Sequence, residues 1–290
     1  MRMCVKCDSE LTGEGNWKCS RCNFLPVMEN EIIFFNKNLS IKNNTFDPQL
    51  FDKYSDIEHS FWITARNELV LWALQNFASQ FDNFLEIGVG TGLVLKKIKD
   101  RFPNARYTAL DIFEESLVDI KSLFAHVNLI QADAEKLPFF EEFDVIGCFD
   151  VIEHIKNDDV VISQIYKSLK KNGLLILTVP HHPFLYCKRD EFLMHKRRYR
   201  KSELDQKLKN VGFELCKSTC YTTALLPAHM ILNKFNNLQT RNGYSTFKDL
   251  NIGSTLTGIA NLLLGFERYF IKIGVNFSIG GSLFIVARKK

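Results

Sequence analysis

No stretch of this chain reaches the roughly 18 consecutive apolar residues that a membrane-spanning helix needs. A secretory leader is not expected either, because the first 30 residues hold charges and paired cysteines where a leader needs an apolar core. These two absences predict a cytoplasmic protein. A dominant charge sign is also missing: 37 Lys and Arg against 33 Asp and Glu leave a formal net charge of +4, which neither demands nor excludes an anionic partner. A dense basic face is lacking too, so nucleic acid is an unlikely partner. What remains, 46% hydrophobic and 24% charged over 290 residues, suits one good core with appendages.

Four of the eight cysteines are not scattered. Cys4, Cys7, Cys19 and Cys22 form C-x2-C-x11-C-x2-C, whereas Cys148, Cys187, Cys216 and Cys220 show no ligand spacing. Each C-x2-C fits a tight knuckle supplying two thiolates, and two knuckles complete a tetrahedral, structural Zn2+ site with no open position; the alternative is two disulfides. The expected division is a zinc-ribbon-like module over 1–36, an Asn-rich linker over 37–48, and a main domain over 49–290 with an insertion at about 221–280. Phe24 to Phe35 reads as the last strand of the ribbon. Metal binding should supply most of the folding free energy of so short a segment.

The main domain is organised around Phe84-Leu85-Glu86-Ile87-Gly88-Val89-Gly90-Thr91-Gly92, an apolar strand closing in alternating glycines before a helical segment from Leu93 to Phe102. Bare peptide groups and a helix N-terminus there make a nucleotide-cofactor cradle. The dinucleotide pattern G-x-G-x-x-G would place glycine at position 93, where the chain has Leu93, which argues against a nicotinamide. Further strands follow at Arg106 to Ile112, Val127 to Ala132, Phe143 to Phe149 and Leu174 to Pro180, alternating with helical segments. Val211 to Leu215 begins a sixth strand, and Ser282 to Arg288 ends the chain as a seventh. The alternation of strands and helices predicts the α/β class. Asp111 and Asp133 stand at strand ends, the first about 20 residues past the loop, where a carboxylate can accept ribose hydroxyls.

Glu86-x-Gly88-x-Gly90-x-Gly92 resembles motif I of the class I S-adenosylmethionine-dependent methyltransferases, and the resemblance extends from Gln49 to Lys290. It implies a Rossmann-like, mostly parallel seven-stranded sheet with an antiparallel last strand, and a cofactor site of Arg66, Glu86, Gly88, Gly90, Asp111, Ile112, Asp133, Ala134 and Phe149, holding S-adenosyl-L-methionine. Asp133 would take the adenine amino group and Ile112 would lie against the ring. Arg66, in a segment (His59 to Asn67) similar to a helix preceding motif I in one subgroup, could pair with the cofactor carboxylate or be a solvated arginine; Asp133 could be a helix cap.

The acceptor side is read from two further motifs. Asp150-x-x-Glu153-His154 is similar to the acid-x-x-Glu-His of ubiquinone-type O-methyltransferases, where it is associated with a divalent metal. The Asn-or-Asp-Pro-Pro-aromatic pattern of amino-directed nucleic-acid enzymes is absent there. His195-Lys196-Arg197-Arg198-Tyr199 looks like the H-x-R-R-Y of the same subgroup, in a loop whose Arg and Lys residues would suit a carboxylate, phosphate or pyrophosphate. Asp150, His154 and His195 are the candidate catalytic residues, with His154 as general base; Glu153 and His154 could instead simply open a helix. In the insertion, Leu256, Ile259, Ala260, Leu263, Phe266, Phe270 and Ile273 lie at helical spacing, as a lid, a dimer face or a surface resting on a membrane. The expected activity is O-methylation of a small molecule or glycan- or lipid-linked metabolite by a monomer or homodimer. The alternatives are an RNA-base methyltransferase and a non-catalytic zinc-dependent interaction protein.

Overall fold

The computed structural model describes residues 1–11, 17–37, 60–228, 230–231 and 254–290. Expectations placed on Ile57, His59, most of the linker and the polar stretch after Ile231 lie outside the described residues. The N-terminal segment holds strands β1 (Arg2–Met3), β2 (Glu10–Leu11), β3 (Val27–Glu29) and β4 (Ile32–Phe34). After helix α1 (Phe61–Phe77), strands and helices alternate: β5 (Asn83–Ile87), α2 (Leu93–Arg101), β6 (Arg106–Asp111), α3 (Glu114–Leu123), β7 (Val127–Gln131) and β8 (Phe143–Phe149). There follow α4 (Asp158–Ser168), β9 (Leu169–Pro180), the short α5 (Lys188–Phe192), α6 (Lys201–Val211), β10 (Phe213–Tyr221), α7 (Ser254–Lys272) and β11 (Ser282–Lys289).

The main sheet runs β10-β11-β9-β8-β5-β6-β7-β4-β3. From β9 to β4 all strands are parallel, while β11 is antiparallel to both β9 and β10, as the sequence predicts for the closing hairpin. Strand β5 carries Phe84, Leu85 and Ile87 fully buried, since helices cover both faces of a parallel sheet and leave no solvated side. This arrangement places the carboxyl ends of β5, β6, β7 and β8 side by side, which is where open α/β sheets bind ligands.

One strand expectation needs correcting. Phe24 to Phe35 does not close the cysteine ribbon on itself: it forms the β3–β4 hairpin, and β4 adds to the main sheet in parallel with β7, pairing Ile32 with Leu129 and Phe34 with Gln131. The physical reason is an otherwise open sheet edge: β7 offers unpaired backbone groups, and Ile32 and Phe34 bury their side chains once added there. The cysteine knuckles are anchored as well. The amide of Met3 donates to the Pro138 carbonyl at 2.9 Å, and Trp17 packs edge-on to Phe35 (5.1 Å between centroids) and Phe139 (6.3 Å).

Helix α7 divides the apolar residues at helical spacing between two faces. Ala260, Leu264, Glu267 and Ile271 are its buried face, whereas Leu256, Ile259, Leu263, Phe266, Phe270 and Ile273 are exposed. The apolar arc is wide enough that periodicity alone could not choose between its two edges. Lys217 on β10 fastens the end of the helix: its buried ammonium donates to the Ile271 carbonyl at 3.0 Å and the Val275 carbonyl at 2.9 Å. No helix among the described residues is long and apolar enough to cross a membrane.

Because Trp17 joins the knuckles to the main core, Trp17→Ala is expected to lower the unfolding free energy by about 3–5 kcal/mol. Urea denaturation followed by circular dichroism measures it; a loss confined to local N-terminal fraying, with the midpoint unchanged, would show that the two parts are not joined through this ring.

Candidate active site

The turn after β5 is shaped by its glycines. Gly88 has φ of +70°, and a Cβ built on it would stand 2.4 Å from the Val151 side chain, so neither the torsion nor the space admits another residue. The Gly88 amide donates to the Leu110 carbonyl at 2.7 Å, and the Gly90 amide to the Asp111 carboxylate at 2.9 Å. The other Asp111 oxygen accepts from the Phe113 amide at 3.0 Å. One carboxylate at the tip of β6 thereby holds the loop of β5 and the start of the next turn.

The turn forms one wall of a cavity of about 380 Å³. Every cofactor residue named from the sequence lines it: Arg66 from α1, Glu86, Gly88 and Gly90 from the first turn, Asp111 and Ile112 from the second, Asp133 and Ala134 from the third, and Phe149 from β8. Asp133 also accepts from the Glu135 amide at 2.9 Å, so it caps its turn and faces the cavity at once. Trp62, from the segment preceding motif I, and Lys196, from the H-x-R-R-Y run, line the cavity too, although neither was singled out as a site residue.

Burial dominates the electrostatics. It pushes Glu86 up to about 8 against the opposing pull of Arg66, and Asp111 up to about 6 against the hydrogen bonds from Phe113 and Gly90. Arg66 is no solvated arginine. It is 9% exposed, lies over the Trp62 ring at 4.9 Å and donates to Asp150 at 2.8 Å.

Beyond the β8 strand end, Asp150 and His154 line the same cavity, whereas His195 stands behind His154, with ring centroids 4.8 Å apart. Asp150 has φ of +57°, and its carboxylate is held by Arg66 and by the Thr178 hydroxyl at 3.2 Å. Burial, then the neighbouring His195, lowers the His154 pKa to about 3, so its ring is neutral around pH 7. Glu153 is fully buried with both carboxylate oxygens lacking a hydrogen-bond partner; burial, then the nearby Asp150, raises its pKa well above the ordinary range. The ligating atoms of Glu153, His154 and His195 all lie within 4.8 Å of one another, a set that could hold a divalent cation; Asp150, engaged elsewhere, does not join it.

The H-x-R-R-Y run has a different use from the one expected. Arg197 donates to Asp158 at 2.8 Å and to the Lys156 carbonyl at 2.8 Å; Arg198 is buried against Asp190 at 2.9 Å; and the Tyr199 hydroxyl reaches Asp158 at 2.8 Å. These arginines are consumed by buried acids, which need a partner to stay charged out of water. Asp190, not singled out from the sequence, also holds His195 Nδ1 at 2.8 Å, and these contacts keep its carboxyl down at about 2 despite burial. Its only sequence signal is an acid three residues into a short helix after Cys187, a position indistinguishable from a cap.

At the N-terminus Cys4 and Cys22 place their sulfurs 3.5 Å apart, and Cys7 and Cys19 3.6 Å apart, with all four within 4.8 Å. Thiolates bound at about 2.3 Å around a tetrahedral ion stand about 3.8 Å from one another, so the spacing fits zinc.

Residues 85–177 match the family described as Methyltransferase domain. Over 146 residues the chain is 28% identical to a malonyl-[acyl-carrier protein] O-methyltransferase of Priestia megaterium, covering 49% of this chain and 52% of that protein. Over 154 residues it is 23% identical to a ubiquinone biosynthesis O-methyltransferase of Rickettsia canadensis, covering 47% of this chain and 64% of that one. The chain thus spans less than two thirds of either relative. In fold it resembles phosphoethanolamine N-methyltransferase 2 of Haemonchus contortus, solved with S-adenosyl-L-methionine, at a TM-score of 0.50 and 20% identity over 76% of this chain and 51% of that one. Residues 85–177 thus match the methyltransferase-domain family, and the chain shares the fold of a solved methyltransferase.

Proposed function

We propose that the protein is an S-adenosyl-L-methionine-dependent methyltransferase that methylates an oxygen of a small molecule or of a glycan- or lipid-linked metabolite. The observation that carries this reading is the convergence of three strand ends on one cavity: bare peptide at Gly88 and Gly90, and carboxylates at Asp111 and Asp133. In that cavity Asp111 would accept the ribose hydroxyls, Ile112 would face the adenine, and Asp133 with the Ala134 amide would read its edge. Arg66 would sit near the methionine end, its charge shared with Asp150. The malonyl- and ubiquinone-directed relatives, both O-methyltransferases by name, support oxygen as the acceptor atom.

Methyl transfer from a sulfonium is an in-line displacement, so the protein contributes alignment and exclusion of water. His154 borders the cavity past Asp150 and would face the acceptor. A neutral imidazole of such low basicity would orient the acceptor hydroxyl by a hydrogen bond and not store its proton. The two orphaned Glu153 oxygens fit a divalent cation, which Glu153, His154 and His195 would hold and which would lend Lewis-acid stabilisation to an acceptor oxyanion. His195, fixed by Asp190, would act through His154 as a positioning residue. The four N-terminal thiolates would hold one structural zinc ion, and eight cysteines free of disulfides suit a reducing, cytoplasmic location.

Asp111→Ala is expected to weaken S-adenosylmethionine binding at least about hundredfold, the cost of two hydrogen bonds to a charged acceptor. Calorimetry on the folded variant measures this, and unchanged affinity would remove the adenosine pocket from this cavity. The pH dependence follows from the same group. Its raised pKa means that the acceptor carboxylate is lost as pH falls through about 6, so wild-type affinity should drop by up to tenfold per pH unit below that point and stay flat above it.

His154→Ala should leave cofactor affinity within about threefold while cutting transfer of a labelled methyl group to cell-extract acceptors by about 10²–10⁴. Retained transfer would take His154 out of the reaction. Elemental analysis of the purified full chain should give one zinc per molecule, absent from Cys19→Ser, with chelation lowering the melting temperature; a metal-free protein with an unchanged melting curve would contradict the zinc assignment.

A further inference from the structure

The turns on the cofactor side of the cavity are held from behind by the N-terminal segment, and one side chain makes the connection. Gln131 ends β7 and is 1% exposed. Its backbone carbonyl accepts from the Phe35 amide at 3.0 Å and its Oε1 from the Asn36 amide at 3.4 Å, both just past the end of β4. On its other side, Nε2 donates to the Ile112 carbonyl at 3.1 Å, past the end of β6. Only a carboxamide presents an acceptor and a donor on separate arms of one planar group, which is what an N–H on one side and a carbonyl on the other require. Gln131 thereby spans β7, from the strand that the N-terminus adds to the sheet to the turn that lines the cavity beside Asp111.

The turn after β7 depends on the same segment. Residues 132–142, which carry Asp133 and Ala134 into the cavity, form no helix or strand of their own. Irregular backbone keeps a fixed place at a site only when contacts from elsewhere hold it. Here the Pro138 carbonyl accepts from the Met3 amide at 2.9 Å, Arg2 bridges to Phe139 in antiparallel register, and Trp17 packs on Phe139. Trp17 packs on Phe35 as well, so one buried ring supports both routes to the cavity.

The two routes end on the two turns that would enclose one ring. Ile112 would lie against the face of the adenine, and Asp133 with the Ala134 amide would read its edge. Hydrogen bonds at that edge hold only over about 2.7–3.2 Å, so a displacement of about 1 Å between the turns is enough to break them.

We propose, resting on the methyltransferase reading above, that Gln131 is a positioning residue for the adenine of the cofactor, and that through Gln131 and Phe139 the N-terminal segment is a working part of the cofactor site. Gln131 does not itself line the cavity. It acts by setting Ile112 in place relative to Asp133 and Ala134.

The test is calorimetry on the full chain, well below its melting temperature, with S-adenosylhomocysteine and with its hypoxanthine counterpart, in which a keto oxygen replaces the adenine amino group. The wild type should favour adenine by at least about tenfold, because the donor to Asp133 is lost in the counterpart. Gln131→Met keeps the side-chain length and removes its hydrogen bonds; it should weaken S-adenosylhomocysteine at least about tenfold and bring the two ligands within about threefold of each other. Trp17→Leu should move affinity and preference in the same direction with Gln131 intact, and it decides the matter if Gln131→Met does not fold. A variant that is folded by circular dichroism yet within about twofold of the wild type in both quantities would overturn the proposal. So would a loss shared equally by both ligands, which is what a substitution that only loosens the fold produces. A wild type that binds neither S-adenosylmethionine nor S-adenosylhomocysteine removes the methyltransferase reading and this proposal together, whereas a wild type that binds both, with variants unchanged, removes only this proposal.

Discussion

A single buried carboxylate ties the site together. Asp111 accepts from Gly90 at 2.9 Å and from Phe113 at 3.0 Å, closing the glycine turn onto the tip of the neighbouring strand. That clamp sets where the bare peptide of Gly88 and Gly90 lies relative to every other strand end. Its cost is visible in the carboxyl itself, pushed up to about 6 by burial even with those donors in place. A carboxylate kept desolvated and only partly satisfied by backbone amides has room for further donors, and in the proposed reading a ribose would supply two.

The acceptor side rests on a different kind of constraint. Asp150, Asp158 and Asp190 are each neutralised by arginine or lysine, and the histidines are arranged on top of these ion pairs. Asp190 holds both Arg198 and His195, so the loop after β9 is locked to a buried acid and not left free to search for ligand. Once those arginines are committed inside the protein, the cations left to meet a ligand are few and placed. Arg200 lies at the α6 start and Lys196 on the wall of the cavity. Glu153 is the exception, a buried acid with no hydrogen-bond partner for its side chain, 4.0 Å from the His195 Nε2 and beside His154, whose charging burial resists.

The periphery shows how an edge is managed. A parallel sheet that stopped at β7 would expose a row of backbone donors and acceptors; the β3–β4 hairpin covers it and carries the cysteine knuckles along. At the opposite end the antiparallel β10–β11 pair closes the sheet, with α7 fastened to it through Lys217.

By itself the sequence determined the elements that depend on local chemistry. Alternating glycines after an apolar strand specify the turn, acids at strand ends mark the ligand side, and two C-x2-C pairs specify a four-thiolate site, because each needs only a few neighbouring residues to be recognised. The tertiary structure alone decided what depends on partners far along the chain. Arg66 meets Asp150, Arg198 meets Asp190, and His195 stands behind His154, pairings between residues whose types were legible but whose distances were not. The same holds for Phe24 to Phe35, whose strand character was plain while its neighbour β7, about a hundred residues onward, was not. The end of α7 is likewise fastened by a lysine on a distant strand. A basic or apolar side chain states what it needs, a counter-charge or burial; which group answers is settled only when the sheet brings distant segments together.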